Sequence, residues 1–265
     1  NGNISTWNVS SVSAMHIMFN GATSFNKDIG SWNVSHVTQM QYMFRSATSF
    51  NQDIGNWNVS NVTDMSSMFD GTTSFNQNIG SWDVSNVTNM SAMFNVASSF
   101  NQPINNWNVS NVTNMSHMFY MSSFNQPLNN WNVSNVTNMG TMFTNCRDFN
   151  QPLSGWSVCN VTDMSNMFAG CFKFNQPLNN WIVSNVTSMY SMFAYCTDFN
   201  QPLNNWNVCN VTNMDNMFSY CTLYDQDIST WKVPNISTQP TGFDTGTPFD
   251  WSTPSEKPDW GASCP

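Results

Sequence analysis

The chain has 265 residues, a formal net charge of −9 and 8% charged residues, against roughly 25% in an average soluble protein. Six basic residues cannot make the Lys/Arg footprint that phosphates require, which excludes nucleic acid as a partner and disfavours anionic membrane surfaces. No apolar run reaches the length of about 18 residues that would suggest membrane insertion. Solubility must come from Asn, Ser, Thr and Gln, which is unusual for a cytosolic protein, and the start at Asn1, without Met or a signal peptide, reads as a mature, processed chain or a segment of a longer one.

Tryptophans measure a repeat from Trp7 to Trp231. They fall at Trp7, Trp32, Trp57, Trp82, Trp107, Trp131, Trp156, Trp181, Trp206 and Trp231, every step being 25 except one of 24. A fixed period of this length takes precedence over the usual size prior and points to a solenoid, here of about nine coils. In the unit "SFNQDIGNWNVSNVTDMSSMFDGTT" (49–73), Trp57 and Val59 are two apart, as on one face of a strand. Val62, Met65, Met68 and Phe69 are three or four apart, as on one side of a helical turn. The spacing predicts a short parallel strand centred on Trp-x-Val, then a short helix or 3₁₀ segment. The "FNQP" or "FNQD" turn closes each coil, with Pro103 or Asp53 in the turn slot. One coil cannot bury eight large apolar groups alone, so stacking is obligatory.

Columns of identical residues follow. Paired methionines such as Met65 and Met68 read as core filler, the tryptophans as a stacked core wall, and the Asn after each loop Phe as a ladder serving backbone groups. Asn33, Asn58, Asp83, Asn108, Asn132, Ser157, Ile182 and Asn207 are the outward strand positions, and all but Ile182 form a candidate polar binding face. The 24-residue step lies in "FYMSSFN" (119–125) and marks a loop that can shorten.

In the second half, Cys146, Cys171, Cys196 and Cys221 share one slot of successive coils, while Cys159 and Cys209 replace Ser three residues after Trp. Several pairings fit the spacing: Cys146–Cys159 with Cys196–Cys209, Cys159–Cys171 with Cys209–Cys221, or a vertical ladder of Cys146–Cys171 and Cys196–Cys221. Neighbouring strands lie about 4.8 Å apart, within the span of a disulfide, and free buried thiols are the competing reading. Cys264, isolated in the tail, has Cys221 or another chain as candidate partners. Sequons recur because the repeat generates them; Asn3, Asn8 and Asn235, near the ends, are the accessible glycosylation candidates.

His16, His36 and His117 stand in slots otherwise held by Ser or Asn, with no paired carboxylate at a telling spacing, so no catalytic set is visible and no enzyme activity is expected. Asp225 and Asp227 occupy turn slots and lack the alternating oxygens of a calcium loop. No metal or cofactor is expected.

The pattern I-x-x-W-x-V-x-x-V-T-x-M-x-x-M-F-x-x-C, repeated over residues 1–233, resembles the BspA-type leucine-rich-repeat surface proteins, in their branch with 25-residue repeats. That resemblance implies a right-handed leucine-rich-repeat-like solenoid, display at a cell surface or secretion, roles in adhesion and recognition, and no catalytic residues. Residues 234–265 stand apart as a Pro/Gly/Thr-rich tail or cap. The leading expectation is a non-enzymatic extracellular recognition or adhesion module whose partner is a protein or glycan. The alternative is a structural subunit of a filament or surface coat that binds copies of itself, with the tail covering an end or strapping onto a neighbour through Phe243, Phe249, Trp251 and Trp260. Ice binding through the Thr column, Thr38 to Thr212, ranks below both.

Overall fold

In the computed structural model, residues 2–249 and 257–264 are described. Trp251 lies outside them.

Corners made of β-turns shape each coil. In the coil from Phe50 to Phe75, Trp57 N–H donates to the Ile54 carbonyl, Val62 to Val59, Met68 to Met65 and Thr72 to Phe69. These are i to i+3 bonds. Residues at the two ends of such a turn come close together, and here the ends are buried and, Thr72 apart, apolar: Ile54, Val59, Val62, Met65, Met68 and Phe69 are all at 1% exposure or less, Trp57 at 4%. The three-residue spacing that suggests a helical turn is therefore a series of β-turn corners, and no helix occurs among the described residues. Backbone dihedrals give the reason. The third residue of each of the last two corners is left-handed, Ser67 at φ 52° and Gly71 at 67°, as type II turns require, and a left-handed residue breaks a right-handed helix at once.

The expected strand at Trp-x-Val is also absent from coils 1 to 9, because corners close on both sides of it, at Ile54–Trp57 and Val59–Val62. Pairing between coils moves to the residue seven after Trp. Isolated parallel bridges run Ala14↔Gln39↔Asp64↔Asn89↔Asn114↔Asn138↔Asp163↔Ser188↔Asn213. From each bridge onward every second N–H reaches into the following coil: Met65 to the Asn89 carbonyl, Ser67 to Ser91, Phe69 to Met93 and Gly71 to Asn95, at 2.7–3.1 Å. The result is a repeat protein of parallel coils, each hydrogen-bonded to its neighbours in one register.

Inside the stack the aromatic columns run as ladders. Phe69 and Phe94 are 5.7 Å apart between ring centres, Phe75 and Phe100 6.0 Å, Trp131 and Trp156 6.3 Å, all nearly parallel. From Trp32 to Trp231 each indole N–H is satisfied by a carbonyl of the preceding coil, as Trp57 Nε1 to Ile29 at 3.1 Å and Trp107 Nε1 to Ile79 at 3.1 Å. A buried Trp needs such a partner, which explains why the column holds Trp and not Phe. The Asn column after the loop Phe is structural too: the Asn76 backbone N–H donates to Asn51 Oδ1 at 3.0 Å, and Gln77 Nε2 to the same oxygen at 2.9 Å.

The C-terminal segment closes one end. Thr241, Phe243 and Thr245 accept from Asn216, Phe218 and Tyr220 as a further coil would, but the ring of Phe243 stands at 88° to Phe218, and Phe249 at 83° to Tyr224. The face-to-face ladder ends there. Two short parallel strands, β1 (Lys232–Val233) and β2 (Asp259–Trp260), with the ion pair Lys232 to Asp259 at 2.6 Å, fix the last residues to the segment that follows Trp231. Thus Phe243, Phe249 and Trp260 pack against this chain's own end. At the other end Trp7 is 54% exposed.

Candidate functional site

The column from Asn33 to Asn207 is exposed, as expected for an outward face. Its side-chain oxygens are already used: Asn58 Oδ1 accepts from the Ser60 N–H at 3.1 Å and its hydroxyl at 2.7 Å, and Asn33, Asn108, Asn132 and Asn207 accept from the N–H two residues on. Asp83 does the same with Ser85, whose hydroxyl and N–H hold its carboxyl below the usual range. Ser157 lies 3.6 Å from Cys159 Sγ. These side chains cap the Val59–Val62 type of corner. The Thr column sends its hydroxyls to the carbonyl of the preceding Thr, as Thr88 to Thr63 at 3.2 Å.

Sequons divide by geometry. Asn3 and Asn8 use their oxygens to cap turns, whereas Asn235 Nδ2 donates to the Cys209 carbonyl at 3.0 Å, so the nitrogen that a glycan would take is engaged.

Of the six cysteines in the repeat, only Cys209 is in a disulfide, and its partner is Cys264, with Cα atoms 6.1 Å apart. None of the pairings within the array forms, nor does Cys221–Cys264. The physical reason lies in the slot. Cys146, Cys171, Cys196 and Cys221 point their thiols at the carbonyls of Phe119, Phe143, Phe168 and Phe193 in the coil before, at 2.7–2.9 Å. In an earlier coil Thr72 fills the same slot and its hydroxyl donates to the Phe44 carbonyl at 2.6 Å. The thiol replaces a hydroxyl there and faces backbone, not its neighbouring thiol. Burial pushes Cys146 and Cys221 up to about 12 and Cys171 and Cys196 well above the ordinary thiol value. Cys159 is free and half-buried.

A second surface, which the sequence reading passed over, runs along the last two corners of every coil. Its ridge is built on left-handed residues, fifteen of them not glycine, including Tyr42, Ser67, Val96, Met121, Asn145, Tyr195 and Tyr220. Coils that agree almost everywhere else differ here. The position after the second Met-Phe residue reads Arg45, Asp70, Asn95, Tyr120, Thr144, Ala169, Ala194 and Ser219, and the next Ser46, Gly71, Val96, Met121, Asn145, Gly170, Tyr195 and Tyr220. Two ion pairs, Arg45–Asp70 at 3.0 Å and Lys173–Asp198 at 3.2 Å, lie along it. The signal for this ridge was in the sequence, as the columns where one repeat departs from the next.

Two clefts open on the ridge. The one-residue deletion removes the turn that in an earlier coil runs from Thr72 to Phe75, and Phe124 N–H is held instead by Ser122 Oγ at 3.3 Å. A cleft of about 340 Å³ lies there, lined by Met121, Ser122, Ser123, Asn145, Arg147 and Asp148. Beyond Asn145 a second cleft of about 400 Å³ reaches Tyr195 over Ala169, Gly170 and Ala194, with Asn166, Ser191 and Phe172 on its walls. Tyr195 and Tyr220 are 51% and 45% exposed and stack at 4.8 Å. His16, His36 and His117 are exposed on separate coils. Asp225 and Asp227 serve as turn residues, Asp227 Oδ1 accepting from the Ser229 N–H at 2.8 Å.

Parallel coils in register, faced by capped polar corners and one variable ridge, define the class as a tandem repeat protein. The model of a family described as "Mycoplasma protein of unknown function, DUF285" matches residues 1–77, 51–156 and 143–253. The chain belongs to that family, as three overlapping tandem copies. No curated protein matches it.

Proposed function

We propose that the chain is a non-enzymatic recognition or adhesion module, secreted or held at a cell surface, built as a leucine-rich-repeat-like solenoid of the BspA type. The observation that supports it best is the concentration of coil-to-coil variation along one exposed ridge, while the apolar columns that carry the fold stay nearly constant. Variation on a fixed scaffold is how a repeat array acquires a specific surface. A disulfide between Cys209 and Cys264 fits an oxidising compartment, and the low charge fits contacts made through amides, hydroxyls and aromatic rings. Among the described residues, the right-angled rings of Phe243 and Phe249 leave no flat aromatic face for a copy to stack on at that end, which weighs against the filament alternative.

The test is adhesion of the folded chain to immobilised matrix proteins and glycoconjugates. Saturable binding that is lost on unfolding supports the reading. Absence of binding across both sets, by a chain shown to be folded, removes it.

A further inference from the structure

We infer that the furrow from Met121 to Tyr220 is a binding site for a neutral oligosaccharide. The inference rests on the recognition reading above and deepens it by naming site and ligand class.

Four observations converge. First, the furrow has size and direction: the two clefts meet at Asn145 and lie along the stack, and each of about 400 Å³ or slightly less falls within the range of small-ligand sites. Its floor is low because Gly170, at φ 72°, and Ala169 stand where other coils carry longer side chains; a Cβ at Gly170 would collide with Asn145 Oδ1. Second, flat aromatic surface borders it. Tyr195 and Tyr220 stack within 15° of parallel and about half-exposed, and the Phe172 ring is covered on one side by the Arg147 guanidinium at 5.6 Å. Such faces suit the apolar C–H face of a pyranose ring, which presents hydroxyls at its edge. Third, uncommitted carboxamides stand beside the rings: Asn145 and Asn166 make no side-chain hydrogen bond among the described residues, unlike Asn58, which caps a turn, and Asn51 and Asn61, which join coils. An amide offers both donor and acceptor to a sugar hydroxyl.

The fourth observation separates a saccharide from a peptide. An extended peptide would add to free backbone groups, but the ridge N–H groups are already donated to the next coil, Asn145 to Ala169, Gly170 to Ala194 and Tyr195 to Ser219, at 2.7 Å. Recognition there falls to side chains and rings. Arg147 and Asp148 stand together at the far cleft and offset one another in charge, so neither sign of ligand is favoured and the ligand is neutral.

The experiment is titration calorimetry of the full chain against soluble neutral oligosaccharides, namely β-linked glucose, β-linked N-acetylglucosamine, β-linked galactose and α-linked mannose oligomers. At least one is expected to bind. Tyr195→Ala should weaken it at least about tenfold, the scale of one lost aromatic contact, whereas Tyr195→Phe should keep most of the affinity and Asn108→Ala all of it. Tyr195 is exposed, so its variants should unfold at the temperature of the parent chain. If no oligosaccharide binds while adhesion to a matrix protein persists, the saccharide inference is overturned and the recognition reading stands. Binding that ignores Tyr195→Ala but falls with Asn108→Ala overturns the site.

Discussion

Replacing Trp107 by Ala tests which side of the coil is inside. The ring is 2% exposed, stacks nearly parallel on Trp131 at 6.5 Å, lies 6.3 Å from Phe94 at an inclination of 28°, and donates to the Ile79 carbonyl at 3.1 Å. Truncation of a buried Trp costs about 3–5 kcal/mol, and the lost indole hydrogen bond adds about 0.5–1.5 kcal/mol, since the Ile79 carbonyl keeps the Trp82 N–H at 3.1 Å. The expected loss is thus about 3.5–6.5 kcal/mol, enough to unfold the middle of an array stabilised by its neighbours. One residue on, Asn108 is exposed and its oxygen accepts only from the Ser110 N–H at 3.2 Å, so Asn108→Ala should cost about 0.5–1 kcal/mol as a lost turn cap. Trp107→Phe separates the two terms, since it keeps an aromatic ring and loses the donor. Urea unfolding read by near-UV circular dichroism measures all three. Equal midpoints for Trp107→Ala and Asn108→Ala would show that the Trp column is surface, and the inside–outside assignment would fall.

Three further substitutions or treatments have defined outcomes. Tyr224 stands where earlier coils have Phe, is fully buried, and its hydroxyl has no partner among the described residues; Tyr224→Phe should raise stability by about 1–3 kcal/mol in urea unfolding. Val96, a β-branched residue at φ 54°, sits in a left-handed position costing about 1–2 kcal/mol; Val96→Gly should raise the unfolding free energy by up to about 1 kcal/mol after the entropy of glycine is subtracted. Thiol titration of the native chain at pH 8 should label Cys159 and leave Cys146, Cys171, Cys196 and Cys221 unreacted until the chain unfolds. For those four the folded pKa lies above the unfolded thiol value, so the folded state favours the protonated form. Their contribution is full below about pH 9 and is lost as pH climbs towards 12. A pH-independent stability between pH 8 and 11 would contradict the burial of these thiols.

The repeat and its inside were legible because large side chains at fixed spacing leave no other place to go. Trp57, Val59, Val62, Met65 and Met68 are all core. Their secondary structure was not legible, since a spacing of three places two residues on one side of a helical turn and equally at the two ends of a β-turn. The deciding fact, a left-handed backbone at Ser67, Ala92 or Thr141, leaves no mark in residue type, as none of these is Gly or Asn. The cysteine pairing was illegible for another reason. Cys209–Cys264 depends on where the tail runs, 55 residues further on, and no spacing within the array encodes that path. The Asn33–Asn207 face was legible as exposed, but its capping role became visible only with the Ser and Cys N–H groups in place. The ridge was written in the differences between coils, at Thr144, Gly170 and Tyr195, while the eye follows what repeats.

Recognition through the ridge is the central claim, and one adhesion measurement with two grouped variants tests it most directly. The first removes Phe172, Tyr195 and Tyr220 to Ala on the ridge, and the second Asn58, Asn108 and Asn132 to Ala on the capped face; both are compared with the parent chain on the same glycoconjugate surface after thermal unfolding has shown each to be folded. The account predicts that the ridge variant loses binding and the capped-face variant retains it. Retained binding by the ridge variant, with loss by the other, would contradict it.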